Sequence, residues 1–186
     1  MKAVAAMSAN RVIGREGRIP WHLPEDFRWF KQLTLDGVVV MGSKTFLSLG
    51  RPLARRTHVV LTRNPAALVA QCSSLWEDGG GQWRPRTEEC APIDSLAPNE
   101  VWMCSELGIL RRSVSSPCAR EVYLIGGAEL YGQMLDDCSD LYLSLVDREV
   151  EGDAFFPAFE QEFHLAGVVL KQPEFEVRHY RRNPTT

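Results

Sequence analysis

Asp26, Phe30 and Leu33 stand at i, i+4 and i+7 of a segment that opens with Pro24, so a helix there puts a carboxylate on one stripe with two apolar side chains. Glu25, Arg28 and Gln32 share another face. The spacing turns Asp26 inward, where a carboxylate is costly unless paired; a planar ligand offering two N–H donors, basic or amidine-like, suits it. The plainer reading is a first-turn acid that complements the helix dipole. Spacing alone admits both.

Two junctions, Met41-Gly42-Ser43-Lys44-Thr45 and Ile125-Gly126-Gly127-Ala128, set glycine between an apolar run and a helical segment. Free N–H groups at a helix start, with glycine permitting close approach, make an anion site, and two such sites can hold the phosphates of a dinucleotide. Neither is the G-x-G-x-x-G fingerprint, and a Gly-Gly pair can be only a turn. Thr62-Arg63 and Lys44 add a hydroxyl and two cations suited to a further phosphate, as on a 2′-phosphorylated dinucleotide, or they are ordinary solvated charges. Arg51, Arg55 and Arg56 surround the Pro52-Leu53 turn. One of them bent inward would pair a substrate carboxylate in bidentate fashion, and spacing does not choose which.

Elements of an α/β domain with a mainly parallel sheet must position these groups, because apolar runs of strand length alternate with segments of helical period. Strands are expected at 2–8, 38–41, 58–62, 121–125 and 141–146, and helices from Pro24 to about Thr34, over 43–49 and over 128–136. Runs at 162–170 and 175–180, separated by Lys-Gln-Pro, predict a closing antiparallel hairpin. Residues 66–98 carry Trp76, Gly79-Gly80-Gly81, Trp83, Pro85, Pro92 and two cysteines without a sustained period, so an insertion or long surface loop is expected there.

Composition bounds the rest. The 186 residues, 45% hydrophobic and 24% charged, suit one compact soluble domain spanning 1–186. With 21 basic and 24 acidic residues the net charge is −3, so no whole-molecule field draws nucleic acid or an anionic membrane. Apolar stretches such as 3–7 and 38–41 fall far below the roughly 20 residues of a membrane span, and the first is too short for a secretory signal. The chain reads as cytoplasmic. Five widely spaced cysteines without a C-x-x-C pair and four scattered histidines suggest neither a disulfide framework nor a metal site.

Taken together, the motifs Asn10-Arg11-Val12-Ile13-Gly14, Ile19-Pro20-Trp21-His22-Leu23-Pro24-Glu25-Asp26, Val40-Met41-Gly42-Ser43-Lys44-Thr45-Phe46, Gly50-Arg51-Pro52-Leu53, Ile125-Gly126-Gly127 and Val150-Glu151-Gly152-Asp153 resemble dihydrofolate reductase of the chromosomal bacterial and vertebrate type. The resemblance covers nearly all the chain outside the insertion. It implies NADPH-dependent reduction of dihydrofolate by a monomer, with antifolates as inhibitors. Asp26 is implied to grip the pterin ring nitrogen and 2-amino group, and Trp21 to hold an ordered water. Phe27, Phe30, Leu49 and Leu53 would wall the substrate, with Ala5, Arg51 and Ser144 beside it and the carbonyls of Val4 and Ile125 at the pterin edge. Arg56 matches the arginine that binds the substrate α-carboxylate. Ala6 is implied at the nicotinamide carboxamide under a mobile flap over 13–19, with Ile13, Gly14, Gly17, Arg18 and Ile19 as cofactor residues. Gly42, Ser43, Lys44, Thr45, Thr62 and Arg63 would take the adenosine phosphates, and Gly126, Gly127, Ala128, Glu129 and Leu130 the pyrophosphate, with Tyr131 and Gln133 adjoining. The Gly126-Gly127 bond is implied to be cis.

Four positions depart from the family pattern. Ser43 stands for a frequent arginine, Ser144 for a threonine, Phe27 for a leucine and Arg55 for a turn glycine. Two rivals accompany this reading: a pyrimidine reductase of riboflavin synthesis with the same fold, which would not be expected to carry Asp26 in W-x-L-P-x-D, and a non-catalytic binding protein using the insertion as its contact surface.

Overall fold

The structure, a computed structural model, describes residues 1–77, 83–87, 92–98, 100–116 and 118–184. In chain order its first elements are β1 (Lys2–Ser8), β2 (Val12–Gly14), α1 (Pro24–Thr34), β3 (Val38–Gly42), α2 (Ser43–Leu49), β4 (Thr57–Leu61), α3 (Pro65–Gln71), α4 (Ser73–Glu77) and β5 (Arg84–Arg86). A 3-10 turn (Ile93–Ser95), β6 (Glu100–Cys104), α5 (Leu107–Ser115), β7 (Val122–Leu124) and α6 (Ala128–Met134) follow. A second 3-10 turn (Leu135–Asp137), β8 (Asp140–Val146), β9 (Ala154–Phe155), β10 (Phe163–Lys171) and β11 (Phe175–Arg182) complete the order.

Two compact units divide the chain, one of Met1–Gln32 with Leu124–Thr186 and one of Leu33–Tyr123. In the first, β1 runs parallel to β8, from Lys2 opposite Asp140 to Ser8 opposite Val146. Strand β11 lies antiparallel on β8 and pairs with β10 as the expected hairpin. Strands β2 and β9 form a small antiparallel pair. In the second unit β3, β4, β6 and β5 are successive parallel neighbours, and β7 borders β3. Val38, Val39, Val40, Met41, Val59 and Val60 are all fully buried, as unbroken apolar runs must be where a parallel sheet is covered on both faces. Mostly parallel strands, an antiparallel C-terminal hairpin and interleaved helices make the α/β architecture the sequence implies.

Helix α6 ends at Met134 and tightens into the 3-10 turn instead of continuing to 136. The segment expected as a period-free excursion opens with two short helices: Pro65 takes the first turn of α3 and the Asn64 side chain accepts the Ala67 N–H at 3.0 Å, a pairing of start signals that marks a helix. Strand β5, with Pro85 at its centre, lies at the sheet edge beside β6, where a missing N–H is tolerated. The Gly79-Gly80-Gly81 run, the Trp76 side chain and Cys90 lie outside the described residues. Cys72, Cys104, Cys118 and Cys138 are thiols. Among the described residues no helix is long and apolar enough to cross a membrane, and no cluster of three or more His, Cys, Asp or Glu side chains is arranged for a metal ion.

Candidate active site

Helix α1 carries Glu25 and Asp26 in its first turn and Lys31 in its last, the order the helix dipole favours. Glu25 pairs with Arg28 at 2.6 Å on the exposed face. Asp26 is half-buried, and the fully buried Ser144 of β8 donates its hydroxyl to Asp26 Oδ1 at 2.5 Å. Burial pushes the carboxyl pKa above its ordinary value, against the smaller opposing pull of the Ser144 bond. The inward reading of Asp26 therefore holds over the simple dipole complement.

Trp21, 8% exposed, packs with Leu23, Val146, Phe175 and Val177, and Ala6 lies against the same cluster. Phe30 is half-buried, while Phe27 is 42% exposed and tilts against the His22 ring at 6.0 Å. Ala5 and Ile125 are half-buried. Tyr131 is buried and donates its hydroxyl to the Val4 carbonyl at 2.5 Å. Its ring covers Gly126, where a Cβ would come within 2.7 Å of Tyr131 Cε2. The Gly126-Gly127 peptide is cis, and Gly127 starts α6 in an extended conformation without a side-chain cap. Ala128 is half-buried, Leu130 buried, and Glu129 and Gln133 exposed.

Residues 13–19 make a tight turn. Arg15 and Arg18 exchange backbone hydrogen bonds at 2.8 and 3.0 Å around Glu16 and Gly17, whose φ values are 51° and 74°, as two-residue hairpin loops require. Gly14 and Ile13 are half-buried, whereas Arg18 and Ile19 are exposed. Asp153 ties this turn down: its Oδ2 accepts the Glu16 N–H at 3.1 Å, and its own N–H donates to the Gly14 carbonyl at 3.1 Å. A Cβ on Gly152 would lie 2.2 Å from Val12 Cγ1 and 2.6 Å from the Gly14 oxygen, so only glycine permits the approach. The Val150-Glu151-Gly152-Asp153 motif thus anchors the turn over 13–19, a role the sequence signals only as a matching string.

In the second unit the three arginines separate. Arg51 is exposed. Arg55, at φ 58°, holds the left-handed conformation that favours glycine, and its guanidinium grips Asp36 at 2.5 and 3.0 Å in solvent. Arg56 alone is buried, 4% exposed, with Nε donating to the Ala54 carbonyl at 3.2 Å and Nη1 to the Thr34 hydroxyl at 3.4 Å. Burial lowers its pKa, partly offset by Asp36. Leu49 and Leu53 are half-buried nearby in sequence, and the Leu53 N–H donates to His58 Nε2 at 2.9 Å. Gly42 opens α2 in an extended conformation, without a side-chain cap. Lys44 and Arg63 are exposed, and Ser43, Thr45 and Thr62 half-buried. The Thr62 hydroxyl accepts the Asn64 N–H at 3.4 Å.

The family model for dihydrofolate reductase matches residues 1–78 and 99–179. The chain belongs to the dihydrofolate reductase family. It is 36% identical over 159 residues to a dihydrofolate reductase of Haemophilus influenzae, covering 86% of this chain and 79% of that one. Against a Bacillus subtilis dihydrofolate reductase it is 32% identical over 160 residues, with 85% and 76% covered. Among solved structures, a dihydrofolate reductase from Enterococcus faecalis complexed with NADP(H) and RAB-propyl superposes with a TM-score of 0.71 at 27% identity, covering 98% of this chain and 96% of that one. Residues 79–98 fall outside the dihydrofolate reductase family match; their described part holds Trp83, β5 and the 3-10 turn.

Proposed function

We propose that this protein reduces 7,8-dihydrofolate to 5,6,7,8-tetrahydrofolate with NADPH, as a cytoplasmic monomer open to antifolate inhibitors, and that residues 1–186 act as one catalytic domain with an insertion at about 66–98. The observation that carries the reading is the half-buried Asp26 carboxylate backed, among the described residues, by a single neutral hydroxyl from Ser144. A carboxylate has about four lone-pair sites, so it retains acceptor capacity for the pterin ring N–H and 2-amino group. Binding those donors offsets the desolvation that raises its pKa.

The cofactor fits the residues present. Neither Gly42 nor Gly127 provides a side-chain cap to its helix, so backbone N–H groups there suit the phosphates. Exposed Lys44 and Arg63 would supply cations for the adenosine phosphates together with Thr45 and Thr62, and Gly126 to Leu130 would hold the pyrophosphate. When bound, NADPH supplies the hydride that passes from nicotinamide C4 to pterin C6. Asp26 orients and polarises the pterin, and Trp21 holds the water from which N5 takes its proton. Arg56 takes the α-carboxylate of the glutamate tail, and the flap over 13–19, anchored by Asp153, excludes solvent from the hydride path.

Mixing the purified protein with NADPH and dihydrofolate and following absorbance at 340 nm tests this. Steady decay that needs both reactants supports it, and a flat trace leaves only the pyrimidine reductase and binding-protein readings.

A further inference from the structure

His58 is an odd occupant of β4. It is fully buried, as are its strand neighbours Val59 and Val60, and it pairs in register with Val39 of β3 and Val101 of β6. Its Nε2 accepts the Leu53 N–H at 2.9 Å, which assigns the ring proton to Nδ1. Among the described residues Nδ1 makes no regular hydrogen bond. An unpaired buried polar atom is costly, so an aliphatic residue would be the cheaper choice in this strand. Histidine offers what that choice lacks, an acceptor for a loop N–H. Burial, then the neighbouring Arg56 guanidinium, pushes the imidazole pKa down to about 3, against the Arg56 backbone carbonyl. The ring is therefore neutral at physiological pH, and its Nε2 lone pair stays available.

The other contact comes from the segment without a counterpart in the family match. Trp83 meets the His58 ring edge-on, centroids 5.4 Å apart and planes at 86°, a favoured aromatic geometry. The hydrogen bond from Leu53 to His58 closes a loop whose interior, residues 54–57, holds Arg55 at positive φ and the buried Arg56. Any tilt of the imidazole is thereby passed to the turn that carries both Leu53 and Arg56.

We propose that His58 is a positioning residue for the end of the substrate remote from the pterin, that Trp83 clamps its ring, and that the insertion thus tunes recognition of the p-aminobenzoyl-glutamate tail. The proposal rests on the reading above that Leu53 and Arg56 meet that tail.

The test uses the full chain with saturating NADPH and two substrates, dihydrofolate and a 6-alkyl-7,8-dihydropterin that lacks the tail. His58→Leu removes the acceptor, His58→Gln restores an oxygen near the Nε2 position, and Trp83→Ala removes the clamp. His58→Leu is expected to raise KM for dihydrofolate about five- to tenfold, the worth of one backbone hydrogen bond. Its kcat, its KM for NADPH and its KM for the tailless pterin stay within about twofold. His58→Gln recovers most of the loss, and Trp83→Ala raises the dihydrofolate KM about threefold. A silent Trp83→Ala, or a KM defect shared equally by the two substrates, overturns the proposal. If His58→Leu does not fold, as thermal melting would report, Trp83→Ala and His58→Gln decide the matter by the same criterion. A wild type that oxidises no NADPH with dihydrofolate sinks the catalytic reading itself and the proposal with it, whereas an active wild type with tail-indifferent variants sinks only the proposal.

Discussion

Asp26 in the first unit and Arg56 in the second are both charged groups drawn out of water, and they are supported in different ways. Asp26 has one short, well-placed bond from Ser144 and a carboxyl that burial makes harder to ionise. Arg56 is more deeply buried, yet the Ala54 and Thr34 oxygens lie at 3.2 and 3.4 Å from its guanidinium, a loose grip for a group with five donors. Their neighbours Glu25 and Arg55 solve the same problem by pairing in solvent with Arg28 and Asp36. Among the described residues each of these buried charges has an incomplete shell of partners, the pattern of a group open to a ligand; N–H donors would suit one and a carboxylate the other.

The contrast is most vulnerable at Asp26. Asp26→Asn should fold and lose at least about a hundredfold in kcat/KM at neutral pH, measured by NADPH oxidation. Its stability should move the other way. Because burial raises the Asp26 pKa, the folded state binds the proton more tightly than the unfolded chain, and the stability this confers is complete below the unfolded value and lost as pH rises through the folded one. At neutral pH the wild type thus bears the desolvation that the asparagine variant avoids, and Asp26→Asn should melt at or above the wild-type temperature. A large fall in melting temperature would make Asp26 a structural residue instead.

Arg56→Gln comes next. Loss of a charge-assisted carboxylate contact should raise the dihydrofolate KM about ten- to a hundredfold, with kcat changed far less. An equal loss in kcat would place Arg56 near the reacting atoms and not at the substrate tail.

Ser144→Ala probes the support of the carboxylate. The hydroxyl is what holds the Asp26 pKa down against burial, so its removal should raise that pKa further and move the acid limb of the kcat/KM profile to higher pH. A profile that does not shift would mean the Ser144 bond is neutral to ionisation. Arg55→Gly should do least: relief of a left-handed conformation worth roughly 1–2 kcal/mol is set against an exposed ion pair worth about 0–1 kcal/mol and the added freedom of the unfolded chain, leaving stability within about 1 kcal/mol of wild type by denaturant melt.

The apolar stripe that Asp26 shares is legible in the sequence, because helix α1 has an unambiguous start at Pro24, but whether the carboxylate turns inward or only complements the dipole is not. The arginines are not, since Arg51, Arg55 and Arg56 are alike in sequence and only tertiary packing buries one of them; short of the fold, only the family resemblance singles out Arg56. Strands β1 and β3 and helix α2 are equally plain, being short apolar or periodic runs punctuated by glycine. Strand β6 and helix α5 escape a reading by pattern. The four apolar residues of β6 sit in a stretch flanked by Pro98 and Ser105, and the helical spacing of Leu107, Leu110 and Val114 is masked by Gly108 and by Arg111-Arg112. Asp153 and His58 are out of reach for another reason. Each acts through a backbone N–H brought to it by a turn, a partner that no side-chain pattern announces.

Whether Asp26 waits for ring N–H donors is best settled by a carbon-13 NMR titration of its carboxyl, assigned with Asp26→Asn, in the free protein and with a 2,4-diaminopyrimidine antifolate bound. The expected result is a pKa above the ordinary aspartate value in the free protein and a steep fall on binding, as ring N–H donors favour the ionised form. An ordinary or lowered value that the ligand leaves unmoved would contradict it.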